Sequence, residues 1–311
     1  MRSLRGEEVA AALILDALFG EPPEVLHPTV WMGCMISASE RVALRWKNPR
    51  VRYLAGAALA LSLPTLVFVL VRSLLDLTPR QTRWLFETVL ISTSLSMRGL
   101  GEAAAAVERE LRAGDLELAR ASASEMVGRD TADLSAPEVA RAVVESVAEN
   151  TSDGVVGPML YGLLLGAPGA LAYKAVNTLD SMVGYRTYPY AELGWASARL
   201  DDLANLVPAR LTVLMVAAVS GRSFRTLDTA RRYGPLTASP NAGWAEAAFA
   251  GALGSKLGGP NAYGGVVREG PILGDGRPPG PEEIRHSLKL MRRCSALFAG
   301  AAVLVGRARR G

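Results

Sequence analysis

Cysteine and aromatic residues are scarce in this sequence, and charge is modest. The two cysteines, Cys34 and Cys294, stand far apart with neither metal-ligand spacing nor a disulfide framework, which argues against a thiolate zinc site or a disulfide-stapled fold. They suit a reducing compartment. A secretory signal is not expected either: Arg2 and Arg5 precede a short apolar run, but Asp16 interrupts it and Glu21-Pro22-Pro23 follows where a small-residue cleavage site belongs. Strand signals are weak throughout, and no strong internal repeat is visible. The Gly-rich run Leu257 to Gly265 lacks the Gly-Lys-Ser/Thr ending of a P-loop, so it reads as a loop whose amides could cradle phosphate or as a plain turn.

Apolar residues are abundant instead. Half of the 311 positions (50%) are hydrophobic against 21% charged and 6% aromatic, and the mean hydropathy is +0.19. Such values are high for a soluble enzyme and low for a fully embedded transporter, so an integral membrane protein with large polar loops is expected ahead of a soluble protein with an Ala-rich core. The net charge of +4 comes from basic segments, Arg41 to Arg52, Arg222 to Arg232 and Arg307 to Arg310. They border apolar segments, a setting that points to anionic headgroups and the cytoplasm, and no nucleic acid is expected as a partner.

Tyr53 to Val71, uncharged and broken only by Pro64, is the strongest transmembrane segment. Val9 to Phe19 is short for a span. Trp84 to Met97 carries Glu87 and many hydroxyls and suits a helix packed among helices. Leu203 to Val219 and Leu288 to Val305 are further apolar helices. Val155 to Tyr173 is interrupted at Gly166-Ala167-Pro168-Gly169, where the chain is expected to turn back as two half-helices. The fold class is therefore all-α, a multi-pass helical membrane protein forming one domain over 1–311. A polar helical insertion spans 98–150 and a polar Gly-rich region spans 221–287. In the insertion, Gly114-Asp115 breaks a helical hairpin whose second helix Asp115 caps. Ser135 with Glu138 starts a helix running to about Glu149.

Candidate chemistry concentrates between Arg141 and Arg210, where polar groups are threaded through apolar runs at a cost that calls for pairing, a metal or a water-filled cavity. Glu145 and Glu149 lie four apart on one helix face, as a catalytic pair or as a solvated face. The turn expected over Asn150 to Gly154 carries Asp153. Asp201 and Asp202, with Arg199 before and Asn205 after, suit Mg²⁺ shared with substrate phosphates, or else cap the Leu203 helix. Lys174 and Arg199 supply positive charge for phosphate or carboxylate, and Asn177, Asp180 and Ser181 add hydrogen-bonding groups.

Read together, these segments resemble the adenosylcobinamide-phosphate synthase family of cobalamin biosynthesis, the CobD/CbiB proteins. The resemblance runs through Leu15-Asp16-Ala17-Leu18-Phe19-Gly20-Glu21-Pro22-Pro23 with His27-Pro28, then Gly128-Arg129-Asp130-Thr131 and Glu145-Ser146-Val147-Ala148-Glu149-Asn150-Thr151-Ser152-Asp153-Gly154. It continues in Lys174-Ala175-Val176-Asn177-Thr178-Leu179-Asp180-Ser181-Met182, Arg199-Leu200-Asp201-Asp202-Leu203-Ala204-Asn205, Ser239-Pro240-Asn241-Ala242-Gly243 and Leu257-Gly258-Gly259. Each is weak alone, and their order and spacing are specific.

The resemblance implies a multi-pass inner-membrane enzyme with a cytoplasmic active site, working beside other late cobalamin-pathway enzymes. It implies a carbon–nitrogen ligase that joins (R)-1-amino-2-propanol or its O-phosphate to a carboxylate of adenosylcobyric acid, with ATP as co-substrate and a corrinoid as substrate. Carboxylate activation through an acyl phosphate then assigns roles. Glu145 or Glu149 acts as base, with Lys174 and Asp180 also catalytic. Asp201, Asp202 and Asp153 hold Mg²⁺, and Arg129, Asn150, Asn177, Ser181, Arg199, Asn205 and Asn241 bind substrate or phosphate. A membrane prenyltransferase-like enzyme should show a second Asp-rich motif of matched spacing, and a corrinoid-binding scaffold or transporter should not need Glu145, Asp201 and Lys174 together.

Overall fold

A computed structural model describes residues 5–185 and 187–308. Arg2, Arg309 and Arg310 of the basic flanks lie outside the described residues. In chain order the helices are α1 (Gly6–Phe19), α2 (Pro28–Ala43), α3 (Pro49–Leu77), α4 (Arg80–Ser92), α5 (Met97–Ala113), α6 (Leu116–Ser124) and α7 (Ala136–Asn150). They continue as α8 (Gly157–Leu165), α9 (Ala167–Val183), α10 (Trp195–Ala204), α11 (Leu206–Val219), α12 (Ser223–Tyr233), α13 (Ala242–Leu253) and α14 (Pro281–Ala308). Between α13 and α14 lie four short strands, β1 (Leu257–Gly258), β2 (Asn261–Tyr263), β3 (Val266–Arg268) and β4 (Ile272–Leu273).

The chain divides into two compact units. One comprises Met1–Ser96, Gly157–Asn205 and Ala299–Gly311, and the other Met97–Val156 and Leu206–Phe298.

In the first unit α9 is central, packed against α2, α3, α4, α8 and α10. Leu171, Ala175, Leu179 and Val183, at helical spacing on α9, meet Met32 and Ile36 of α2 and Leu63 of α3 in one buried cluster. Each large side chain fully buried there contributes about 1.5–3 kcal/mol. The opposite strip of α9 is left to Lys174, Asn177, Asp180 and Ser181. The turn between α8 and α9 is the one read from Gly166: its φ is +78°, and the two helices pack side by side with Tyr161 and Tyr173 stacked at 4.9 Å. Glu87 secures that turn. Its Oε1 is 2.5 Å from Arg5 Nε and accepts from the Ala167 N–H at 3.4 Å, which is why a carboxylate can be buried on α4.

In the second unit α5 and α6 form the expected hairpin, with the Leu118 N–H donating to Asp115 Oδ1 at 3.0 Å. Helix α7 starts in a capping box, Ser135 N–H donating to Glu138 Oε2 at 2.8 Å. It does not end in a turn at Asn150. Residues Thr151–Val156 continue as a π-helix, reinforced by Asn150 Nδ2 donating to Ser146 O at 2.9 Å and Thr151 Oγ1 to Val147 O at 2.7 Å. Polar side chains that bond back to the preceding turn let the backbone widen instead of turning away, and such π segments are frequent at functional sites.

The Gly-rich region also departs from the all-helical expectation. Strands β1 and β4 pair antiparallel through Leu257 with Leu273, and β2 pairs with β3 through Asn261 with Arg268. Gly264 and Gly265, both at positive φ, form the two-residue turn of the β2–β3 hairpin, a conformation that disfavours side chains at both positions. Their N–H groups donate to the Asp130 carboxylate at 3.1 and 2.7 Å, so these amides hold a carboxylate of the chain itself.

Among the described residues one helix is long and apolar enough to cross a membrane. It is α3, with 29 residues and a mean hydropathy of 2.3 in its most apolar window. At ~1.5 Å per residue it is about 43 Å long, more than a hydrocarbon core of about 30 Å. A second span arises only if α10 and α11 are counted together across their bend. The helix expected over Leu203 to Val219 begins at Leu206 instead, and α4, α8 and α9 are each short of the ~20 residues that a span requires.

Candidate active site

In the second unit α7 is buried from Val139 to Ala148, which carries two charged side chains, Arg141 and Glu145, into the interior. Both are paired there. Glu145 forms an ion pair with Arg129 through Oε2, and its Oε1 accepts from the Gly258 N–H at 2.6 Å and lies 3.9 Å from Arg141. Arg141 in turn donates to the carbonyls of Gly258 and Pro260, the latter at 3.0 Å, and to Asn261 Oδ1 at 3.1 Å. Arg129 donates to the same Asn261 oxygen. The result is a network in which two arginines and Glu145 fix the loop between β1 and β2.

Beside this network opens a cavity of about 270 Å³, lined by Arg129, Glu145, Glu149, Asn150, Glu246 and Asn261 among others. Glu149 is exposed to it, one helical turn beyond Glu145. Glu246 enters from α13, in an Ala-rich run whose other residues from Ala245 to Ala252 are buried. Burial, followed by the charges of Glu145 and Glu149, pushes the Glu246 carboxyl well above the usual carboxylate range, against the pull of Arg129 and Arg141. A carboxyl shifted upward in this way favours its protonated form, which can donate a hydrogen bond to a substrate oxygen, while the neighbouring Glu149 carboxyl is placed to accept a proton.

A second polar cluster lies within the first unit. The Tyr173 hydroxyl donates to Asn205 Oδ1 at 2.5 Å, and Asn205 Nδ2 donates to Asp201 Oδ2 at 3.0 Å. The other Asp201 oxygen, Oδ1, is buried and makes no hydrogen bond of standard geometry among the described residues, while the Asn177 side chain lies near enough to favour the charged carboxylate. Asp202 instead faces Arg199, 3.4 Å away and largely exposed. His27 lies 3.3 Å from Glu21, and that hydrogen bond, with the positive charges of His27 and Lys174, holds the Glu21 carboxyl below its usual range.

Comparison with known proteins separates the possible readings. Residues 9–291 match the family model described as CobD/Cbib protein. The chain is 44% identical over 311 residues to the cobalamin biosynthesis protein CobD of Klebsiella pneumoniae, covering 96% of this chain and 98% of that one. It is 41% identical to CobD of Rhodobacter capsulatus (96% and 95% covered) and 40% identical to the cobalamin biosynthesis protein CbiB of Salmonella typhimurium (92% of each). This chain belongs to the CobD/CbiB family. No solved structure matches it.

Of the residues singled out in this CobD/CbiB chain, Arg129, Glu145, Glu149 and Asn150 meet at one cavity. Lys174, Asn177, Asp180 and Ser181 share a strip of α9, where the Ser181 hydroxyl donates to the Asn177 carbonyl at 2.9 Å. Asn241 is buried and accepts from Arg210 at 2.6 Å, while Arg210 stacks over Trp244 at 4.6 Å. Asp153 stands in the π-helix of the second unit, and Asp201 and Asp202 in the first. The aspartate pair is not an N-terminal cap. It lies in the last turn of α10, where the helix dipole disfavours carboxylates, so it needs another reason to be there.

Among the described residues no group of three or more His, Cys, Asp or Glu side chains could hold a metal ion. Mg²⁺ needs less from a protein, one or two carboxylates completed by water and phosphate oxygens. The buried Oδ1 of Asp201, which makes no hydrogen bond of standard geometry among the described residues, fits that demand.

The sequence reading missed Glu246, Arg141 and Asn261. A signal for Glu246 was present, since a lone carboxylate in the run Ala242 to Leu253 meets the same burial argument used for Glu145. Reading 221–287 as one polar Gly-rich region hid it.

Proposed function

We propose that this chain forms the amide bond between a carboxylate of adenosylcobyric acid and (R)-1-amino-2-propanol or its O-phosphate, giving adenosylcobinamide or its phosphate. The reading rests on family membership and, within the site, on one observation: Glu246, whose carboxyl is pushed above the usual range, and the exposed Glu149 face one cavity beside Arg129. At about 270 Å³ that cavity is near the lower end of the ~300–1,000 Å³ typical of small-molecule pockets, a size for the two reacting ends.

A carboxylate does not react with an amine until an oxygen becomes a leaving group. ATP supplies the phosphoryl group for an acyl phosphate, releasing ADP. The amine nitrogen then attacks the acyl carbon, the C–N bond forms, the C–O bond to phosphate breaks, and inorganic phosphate leaves. Arg129 draws the substrate carboxylate in by charge, and the Glu246 carboxyl donates a hydrogen bond to the oxygen that gains charge in the attack. Glu149 takes the proton that the ammonium nitrogen must lose. Glu145, with both oxygens engaged, positions Arg129 and the Gly258 loop rather than acting as the base. Asp201 would hold Mg²⁺, which would supply screening of phosphate charge. The protein resides in the inner membrane, anchored through α3, with its site on the cytoplasmic side.

The test is amide formation by the full-length protein purified in detergent and supplied with adenosylcobyric acid, aminopropanol phosphate, ATP and Mg²⁺, followed by mass spectrometry. Product that requires both ATP and Mg²⁺ supports the ligase. Corrinoid binding without product under all these conditions would instead support a scaffold.

A further inference from the structure

Away from the carboxylate cavity, the second unit carries a cleft of opposite charge. Helix α13 ends at Gly254, whose φ is +76°. Two guanidinium groups converge there: a Cβ on Gly254 would stand 3.1 Å from Arg222 Nη1 and 3.4 Å from Arg225 Nη1. Arg277 joins them from the segment after β4, its backbone N–H donating to Gly254 O at 3.3 Å. The three arginines line a hollow of about 600 Å³. An adjoining hollow of about 330 Å³ shares Arg222 and Leu253 and is lined by His286, Lys289 and Arg293. Those three lie on one face of α14 at i, i+3 and i+7.

Like charges gathered this closely repel unless something answers them, and among the described residues only Arg222 is answered in part, donating to the Ala252 and Leu253 carbonyls at the end of α13 at 3.5 and 3.4 Å. The acids of the larger hollow are committed elsewhere. Asp275 is 3.3 Å from Arg232 and accepts from the Tyr233 hydroxyl, and Glu283 accepts from the Gly280 N–H at 2.8 Å. Among the described residues Arg222, Arg225, Arg277, Lys289 and Arg293 form no ion pair. Arginine forks match phosphate oxygens two at a time, and the two adjoining hollows present five cationic side chains to one ligand.

We propose that this cleft binds the polyphosphate chain of a nucleoside triphosphate. The assignment deepens the ligase reading and rests on it for the identity of the nucleotide. In the other cavity Arg129 is paired with Glu145 and Glu149 adds a further carboxylate, which leaves no surplus of positive charge for a triphosphate, so the nucleotide's phosphates need a separate cationic receptor. Helix α13 links the two, with Gly254 about 12 Å along the helix from Glu246 at 1.5 Å per residue.

The experiment titrates ATP and inorganic tripolyphosphate, without Mg²⁺, into the full-length protein in detergent micelles by calorimetry. The wild type is compared with Arg225→Gln/Arg277→Gln, two exposed side chains. Arg285→Gln removes a charge outside the cleft as a control, and circular dichroism checks each fold. Wild type and R285Q should bind both ligands, and the double variant should bind each about tenfold more weakly or worse. Equal binding by the folded double variant overturns the assignment. So does arginine-dependent binding of phosphatidylglycerol vesicles with none of ATP, which would make the cleft a lipid-headgroup site. ATP-dependent amide formation with nucleotide binding indifferent to R225Q/R277Q would sink the cleft and leave the ligase reading intact. Arginine-dependent binding with no amide under any condition would do the reverse.

Discussion

Replacing Glu246 by Gln should stabilise the protein at neutral and alkaline pH and leave it unchanged in acid. In the native state burial and two neighbouring carboxylates keep this group protonated well above the usual range. In the unfolded chain it ionises near pH 4.3, as an ordinary glutamate does. Below that pH both states are protonated, and an isosteric neutral Gln costs little. As pH rises further the unfolded state releases its proton while the native state retains it, so the wild type loses stability relative to Gln by at most about 1.4 kcal/mol per pH unit. The loss levels off once Glu246 ionises in the native protein. Thermal denaturation of both proteins in detergent from pH 4 to about pH 9 would reveal curves that coincide in acid and diverge upward for Glu246→Gln. Parallel curves, or a Gln variant less stable at high pH, would mean that Glu246 is an ordinary ionised carboxylate and would remove it as the proton-bearing donor. Turnover offers a second readout, because Gln keeps a hydrogen-bond donor and should retain activity that Glu246→Ala loses.

Other substitutions separate architecture from chemistry. Glu145→Gln leaves Arg129 buried without its ion partner and should cost about 3–5 kcal/mol of stability, measured by denaturant unfolding. Glu149→Gln, on an exposed side chain, should lower kcat by about 10²–10⁴ with a stability change under ~1 kcal/mol, and an unaltered kcat would exclude it as the base. For Asp201→Asn, amide formation at limiting Mg²⁺ should fall while saturating Mg²⁺ restores part of it, whereas equal Mg²⁺ dependence in both proteins would show that Asp201 holds no metal. Gly166→Ala forces a side chain into a left-handed turn, with its Cβ 2.2 Å from Glu87 Oε1. It should cost more than ~1 kcal/mol, seen as a lowered Tm.

What the sequence determined by itself was local. The capping box at Ser135, the Asp115 cap, the break at Gly166 and the apolar length of α3 depend on residues within a few positions of one another, and all four appear as read. The spacing of Glu145 and Glu149 placed both at the edge of one cavity by the same logic. The π-helical continuation after Asn150 and the hairpins in the Gly-rich region were not legible. A π turn differs from a bend only in which carbonyls the side chains satisfy, and strands of two or three residues carry no periodicity. Tertiary structure alone decided the partners of Glu145, since the Gly258 amide lies 113 positions away in the sequence. It also decided the state of Glu246, because holding a proton depends on how many like charges folding brings together and how much water it removes. The same holds for the arginines around Gly254, whose convergence arises from two segments that a sequence reading treats as separate basic and Gly-rich stretches.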